Sequence, residues 1–366
     1  MQFEVQKNIL LKAIGDTIGA VEKKNTIPVL QNIKVDVKDD KVMLSATDMD
    51  ILITSNFDCD MKSSGSTTVP AQMFFDIVRK IPDGLILVKG DNSNNLQIKS
   101  GKSKYNLPCI EASEFPIIAE GDMNLEIEIE ASKISKMIDK TRFAISNDET
   151  RYYLNGLYLQ LYNQNDKKEV RTVATDGHRL ALSFIAIEQS ESFAVIIPRK
   201  SVNEIRRIIE GVKTLKIAIS RVKIKISADK TTIVSKLIDG EFPDYEKVVP
   251  KNNNHLALIN RKVLFDCVDR VSTVASDKHR SVKLIVENGK MSLQVGSDEN
   301  SSAFEEIDIN YSGDRIEAGF NSRYLLDIIG QIDKEEIMMR FRDGYSPALI
   351  EAQDMNSVFV LMPVRV

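Results

Sequence analysis

One pattern of residues recurs three times along this chain, and it restricts the fold to repeated units. VPAQMFFDIVRKI begins at Val69, IPRKSVNEIRRII at Ile197 and GFNSRYLLDIIGQI at Gly319. Ahead of each stands a second recurring block: SATDMDI around Asp48, VATDGHRLAL around Asp176 and VGSDENS around Asp298. The two series keep the same spacing. Asp48 to Asp176 and Pro70 to Pro198 are both 128 residues, and Asp176 to Asp298 and Pro198 to Phe320 are both 122. Chance similarity in one block would not preserve the distance to the other. Solenoid repeats have periods of roughly 20–50 residues, so a period this long means whole domains in tandem. Three domains are expected, at 1–122, 123–250 and 251–366, joined by short polar segments near 121–126 and 249–256.

Each copy reads as strand, helix, several strands, second helix and further strands. The first helices are NILLKAIGDTI, SKISKMIDKTRFA and KVLFDCVDRVSTVA, and the second follow Pro70, Pro198 and Phe320. Ile134, Met137, Ile138 and Ala144 form an apolar stripe at helical spacing. Ser132, Asn260 and Asn321 stand where N-caps are expected. Between the helices KVMLSATD, KVDV, TLKIAIS, KIKIS, TTIVSKL and MSLQVGS are alternating or β-branched, as strands are. Turn residues separate them at Lys38-Asp39-Asp40 and Glu287-Asn288-Gly289. Two helices and about eight short strands per copy predict an α+β domain with antiparallel sheets and both helices on one face.

Composition narrows the function classes. With 43% hydrophobic and 28% charged residues in 366, the chain has the make-up of an ordinary soluble protein with several cores. No stretch approaches the ~18 consecutive apolar residues of a membrane span. The N-terminal residues lack the order of basic, apolar and cleavage regions that marks a signal peptide. Cys59, Cys109 and Cys267 are widely spaced and odd in number, which fits free thiols in a reducing cytoplasm. His178, His255 and His279 form no ligand pair. Neither a metal nor a cofactor is expected.

Net charge is −4, but it is unevenly distributed. The six predicted helices hold 16 basic and 7 acidic residues, and the remainder holds 33 and 46. Basic helices beside acidic strands and loops suit attraction of a phosphate backbone without sequence preference. Lys and Arg that merely solvate the helix surfaces would give the same count.

The runs TVATDGHRLAL, TRYYLNGL, LIDGEFPDYEKVVP and the terminal VLMPVRV, together with VPAQMFFDIVRKIPDG and GFNSRYLLDIIGQI, resemble the bacterial DNA polymerase III beta subunits, the sliding clamps. The resemblance covers the whole chain. It implies the clamp fold: a head-to-tail homodimer ring of six similar domains around duplex DNA, with helices lining the hole and sheets outside. The implied partners are the replicative and other DNA polymerases and a clamp loader, with no membrane and no catalysis.

The resemblance also implies residue roles. A pocket for short linear peptides is carried over onto Leu154, Thr175, Gly177, His178, Arg179, Leu180, Pro243, Lys247, Val248, His279, Asn321, Tyr324, Val360, Met362, Pro363, Val364 and Arg365. DNA contacts are carried over onto Lys24, Arg151, Tyr152 and Tyr153, and the basic helices supply Arg199, Lys200 and Arg206. At the ring joint Lys102, Lys104, Tyr105 and Leu107 should face Thr273, Val274, Glu305 and Glu306. Lys247, His279, Tyr345 and Pro347 depart from the residues common in the family. Two other classes compete: a cytoplasmic hydrolase using Asp176 and His178, and a β-rich scaffold without DNA. No nucleophile elbow or phosphate loop accompanies Asp176, which weighs against the first.

Overall fold

The repetition in the text is repetition in the backbone. In the computed structural model the described residues are 1–365 except 23–25, 91–93, 119–120, 165–166, 189–191, 276–279, 297–300 and 354–355. The first copy runs β1 (Gln2–Gln6), α1 (Lys7–Thr17), β2 (Asn32–Lys38), β3 (Lys41–Thr47), β4 (Ile51–Asp58), β5 (Asp60–Ser63), β6 (Gly65–Pro70), α2 (Ala71–Lys80), β7 (Leu85–Gly90), β8 (Asn95–Ser100) and β9 (Ser103–Pro108). The second runs β10 (Leu125–Glu130), α3 (Ala131–Thr141), β11 (Gly156–Gln164), β12 (Lys167–Thr175), β13 (Arg179–Ala186), β14 (Phe193–Pro198), α4 (Arg199–Ile208), β15 (Thr214–Ile219), β16 (Lys223–Ala228) and β17 (Thr231–Lys236). The third runs β18 (His255–Asn260), α5 (Arg261–Ser272), β19 (Ser281–Glu287), β20 (Lys290–Gly296), β21 (Ser302–Asp308), β22 (Ile316–Asn321), α6 (Ser322–Ile329), β23 (Glu336–Phe341), β24 (Ala348–Glu351) and β25 (Ser357–Leu361).

The helices form where the apolar spacing predicts, and each buries one stripe. In α2 this is Ala71, Phe74 and Val78, and in α6 Ser322, Leu325, Ile328 and Ile329. Burying a side chain such as Phe74 contributes roughly 1.5–3 kcal/mol. Asn260 caps α5 by accepting from the Val263 amide, and Asn321 caps α6 by accepting from Arg323 and Tyr324; losing such a cap costs about 1 kcal/mol. Ser132 is not a cap. α3 begins at Ala131, directly after β10, so Ser132 lies inside the first turn and its hydroxyl donates to the Glu130 carboxylate. The β2–β3 turn places Asp39 and Asp40 at φ 51° and 55°, a two-residue hairpin turn whose twist suits the flanking strands.

Among the described residues all strand pairs are antiparallel, and they form four sheets. Two are eight-stranded and cross copies: β10-β15-β16-β17-β4-β3-β2-β6 and β14-β11-β12-β13-β25-β24-β23-β18. The others are β5-β1-β7-β8-β9 and β21-β20-β19-β22. The crossings follow one rule. The strand after an Asp-centred block pairs with the last strand of the next copy: β4 with β17, Ile51 to Ser55 against Ser235 to Thr231, and β13 with β25, Arg179 to Ser183 against Leu361 to Ser357.

These crossings define two compact units, Met1–Ser135 with Lys200–Leu237, and Lys136–Arg199 with Ile238–Val366. In the first unit α1 packs on α2, β3 and β4, and Phe3 and Phe57 meet with ring centroids 6.4 Å apart. In the second α5 packs on α6, β20 and β21. Among the described residues no helix is long and apolar enough to cross a membrane.

Candidate functional site

The repeated aspartate builds a turn. Asp176 Oδ1 accepts from the amides of His178 and Arg179 at 2.9 and 3.1 Å, and Thr175 Oγ1 accepts from the Gly177 amide and donates to the Arg179 carbonyl. The first copy repeats each bond. Asp48 Oδ1 accepts from Asp50 and Ile51, and Thr47 Oγ1 accepts from Met49 and donates to Ile51. The residue after each aspartate has positive φ: 88° at Gly177 and 81° at Met49. Only glycine adopts this conformation without cost. Gly177→Ala is therefore expected to destabilise the chain by about 1–2 kcal/mol, whereas Met49→Gly in the same turn costs nothing or stabilises slightly. Chemical denaturation of both variants checks the pair, and equal losses would refute the shared turn.

The aspartates differ in what reaches their second oxygen. Asp48 Oδ2 receives Lys200 Nζ at 2.5 Å, and the same ammonium donates to the Ala20 carbonyl. Asp176 Oδ2 instead receives Arg179 Nε at 3.0 Å. The rest of that guanidinium donates to Asp327 Oδ2 at 2.5 Å and to the Phe143 carbonyl at 2.8 Å, and it lies 4.3 Å from the Tyr324 ring centre. With a side chain only 9% exposed, Arg179 ties the turn of the second copy to α6 of the third. His178 is left exposed, its ring 6.2 Å from that of Tyr324. An aspartate holding two amides and a guanidinium is a structural anchor and not a poised base.

Beneath the turn lies an apolar cluster of Leu154, Val173, Leu180, Leu182, Ile196, Phe242, Tyr245, Leu349 and Val360. Leu154, Leu180 and Val360 are thus core residues. The segment after β17 is pinned to this cluster: Phe242 stacks on Tyr158 with centroids 4.6 Å apart. Tyr245 Oη donates to Gln160 and accepts from Arg171, whose guanidinium also reaches Glu169 and Glu246. Exposed neighbours of these anchors, Pro243, Val248, Met362 and Val364, rim the cluster with apolar surface. The tail is held by Met362 donating to the His178 carbonyl and Val364 to that of Gly319. Pro363 is half-buried; Lys247, Tyr345 and Arg365 are exposed. His279 lies outside the described residues.

Beside this rim opens a cleft of about 500 Å³ lined by Arg151, Arg179, Arg199, Arg280 and Arg323 against Asp148, Asp176 and Asp327. Arg151 donates to Asp148 and to the Asp176 carbonyl. Thr150 and Arg151 hold the Asp148 carboxyl below its ordinary range. Arg199 donates to the carbonyls of Ile145 and Ser146, and burial pulls its guanidinium below its ordinary value. The cleft therefore carries excess positive charge. Tyr152 is exposed, whereas Tyr153 packs against the apolar cluster. Lys200 is bound to Asp48, Arg206 is half-buried on α4, and Lys24 lies outside the described residues. Phe143, Asp148 and Asp327 escape a reading of the sequence. A lone acid within the apolar helix LLDIIGQI was the available sign of Asp327.

Five of the eight positions expected at a joint, Lys104, Tyr105, Leu107, Glu305 and Glu306, lie on two edge strands. β9 carries Lys102 just before it, exposed Lys104 and Tyr105, and buried Leu107. β21 carries Glu306, Glu305 and the 60% exposed Phe304, which the sequence reading missed. Arg270 of α5 reaches Glu305 through two bonds of 2.9 and 2.6 Å. Thr273 is exposed and Val274 half-buried at the end of α5.

Three family models match the chain in order: the DNA polymerase III beta subunit N-terminal domain over residues 1–119, the central domain over 128–244 and the C-terminal domain over 246–365. The chain is 40% identical over 373 residues to a Beta sliding clamp of Caulobacter vibrioides, with 100% of each covered. It is 35% identical to one of Pseudomonas putida, again with 100% of each covered. Among solved structures it is similar to a DnaN sliding clamp of Bartonella birtlesii bound to griselimycin, at 39% identity, TM-score 0.96 and full coverage of both chains. It is likewise similar to the DNA polymerase III subunit beta of Pseudomonas aeruginosa, at 34% identity, TM-score 0.94 and full coverage of both.

Proposed function

Because this chain belongs to the DNA polymerase III beta subunit family, we propose that two copies close head to tail into a ring that slides on duplex DNA and tethers the replicative polymerase. The fold is the three-domain clamp fold, and we take its domains as 1–122, 123–250 and 251–366. The protein is a processivity factor and not an enzyme, and it works in the cytoplasm.

One observation carries the ring. Both crossings within the chain join the strand after an Asp-centred block to the last strand of the next copy. The third strand of the first kind, β21, and the first copy's last strand, β9, each stand at a sheet edge with one partner. Pairing β21 of one molecule with β9 of another satisfies the rule a third time, and a head-to-tail contact of this kind closes when its rotations complete a turn. Open edges would otherwise invite aggregation. Glu305, Glu306 and Phe304, with Thr273 and Val274, then face Lys102, Lys104 and Tyr105, while Leu107 supports β9 from within.

Topology replaces affinity in such a ring, so the duplex needs only weak contact. Arg151 at the arginine cleft, the adjoining Tyr152 and Tyr153, Lys24, and Arg199, Lys200 and Arg206 on α4 supply that contact with phosphates and bases. The apolar rim of Pro243, Val248, Met362 and Val364, flanked by His178, Asn321 and Tyr324, receives linear peptides with aliphatic and aromatic anchors. Polymerases and the clamp loader bring such peptides, and the loader opens the ring. Lys247, Arg365 and His279 border the entrance.

The protein loaded on a nicked circle should stay through gel filtration and be lost once the circle is cut. Retention that ignores linearisation would sink the ring and favour binding along the duplex.

A further inference from the structure

The repeat points to a second docking site, an inference that rests on reading the third copy's tail as a peptide wall. A backbone bond joins the same two segments in all three copies, with its direction reversed in the first: the Thr68 amide donates to the Ile110 carbonyl at 3.1 Å, whereas Ile238 donates to Ile196 at 2.9 Å and Val364 to Gly319 at 2.8 Å. Each ties the approach to the second helix to the segment after the copy's last strand. In the third copy this corner presents Asn321, Tyr324, Met362 and Val364. In the second copy the helix start carries Lys200, drawn onto Asp48 and the Ala20 carbonyl. In the first copy the position 128 residues before Lys200 is Gln72, which turns back to Asp76 on its own helix.

That first corner is hollow. A cavity of about 920 Å³ opens there, walled by Ile18, Val21, Met73, Phe75, Cys109 and Ile110. Among the described residues lining it none carries a charge, and Met73 at its mouth is 48% exposed. Its size lies within the range of sites that bury a ligand of several large groups. We propose that this cavity receives a short linear peptide of the same chemistry as the third copy's site, with uncharged aliphatic and aromatic anchors.

A second copy of the chain is the weaker occupant. The block that the repeat would bring to this corner from a partner molecule is Ser-Asp-Glu-Asn, 297–300, and four polar residues do not fill an uncharged cavity. The wall formed by Pro108, Cys109 and Ile110 continues directly from β9, the strand assigned to the ring joint. A peptide seated here presses on the joint itself, so its binding and the opening of the ring are coupled, with equal effect in both directions.

The test uses the full dimer and the terminally blocked peptide Gly-Ser-Leu-Ser-Leu-Phe-Gly-Ser, titrated by calorimetry. Two peptides per chain are expected for the unmodified protein, one for Met362→Glu, one for Met73→Glu and none for the double variant. Both methionines are partly exposed, and thermal unfolding confirms that each variant is folded. Cys109 gives a second measurement. In a Cys59→Ser, Met362→Glu background, peptide at ten times its Kd should slow alkylation of Cys109 by N-ethylmaleimide roughly tenfold. One peptide per chain, none with Met362→Glu, and an unchanged alkylation rate would overturn the proposal. Binding lost with Met73→Glu but intact with Met362→Glu would instead overturn the third-copy reading and leave this one standing. No binding by the unmodified protein would overturn both.

Discussion

Replacing Arg179 by alanine is expected to lower unfolding stability by roughly 3 kcal/mol, the scale for breaking a buried ion pair on one side, and to abolish peptide capture. The guanidinium satisfies Asp176, Asp327 and the Phe143 carbonyl, and it lies over Tyr324. Alanine leaves two carboxylates close together with nothing between them, and the turn carrying His178 loses its tie to α6. Arg179→Lys keeps one charge but lacks the planar fork, so it should recover only part of the loss. Guanidinium chloride unfolding followed by circular dichroism, with peptide titration beside it, checks both effects. An unchanged midpoint for Arg179→Ala would mean that the network is ornamental.

The second large effect is expected at the open edges. Phe304→Asp combined with Glu306→Lys should turn the dimer into a monomer and eliminate retention on circular DNA, while peptide binding survives. Phe304 is the large apolar group exposed on β21. At the proposed joint an aspartate would remove buried area, and the lysine would meet Lys102 and Lys104 of β9 with like charge. Glu305 is spared because Arg270 holds it through two bonds, whereas Glu306 accepts one from Lys290. Light scattering should report the mass of a single chain. A dimer that persists would place the joint elsewhere.

Much of the architecture was legible because the repeat is internal evidence: two series of blocks with matched offsets need no second sequence. Asn260 and Asn321 cap helices where the text placed them, since their side chains act on amides two or three residues away. Ser132 misled for a local reason. The last residue of β10, in the place that Asn260 and Asn321 hold before α5 and α6, is Glu130, and Ser132 lies two positions beyond it. Leu180 and Val360 were harder to judge. Arg179 through Ser183 are all buried because β13 sits inside an eight-stranded sheet, and such a strand shows no alternation that separates a pocket wall from core. The Arg179–Asp327 pair spans 148 residues, and nothing in the local text joins them. Met49 and Gly177 make the opposite case. Aligning the copies shows both at one position, yet only the backbone reveals why one of them is glycine.

The two strand crossings in the chain are five residues long each, and a crossing of the same kind between molecules would have similar strength. What separates them is the tether. A crossing inside one chain that breaks is held together by covalent continuity, at an effective concentration on the order of millimolar, and it re-forms before anything else can happen. When a crossing between two molecules breaks, its ends are held only through the far seam of the same ring, a longer and looser tether that gives a lower effective concentration and slower re-closing. A ring built this way needs no weakened hinge to decide where it opens: kinetics alone selects the intermolecular seam, and whatever grips the ring there sets how long it stays open.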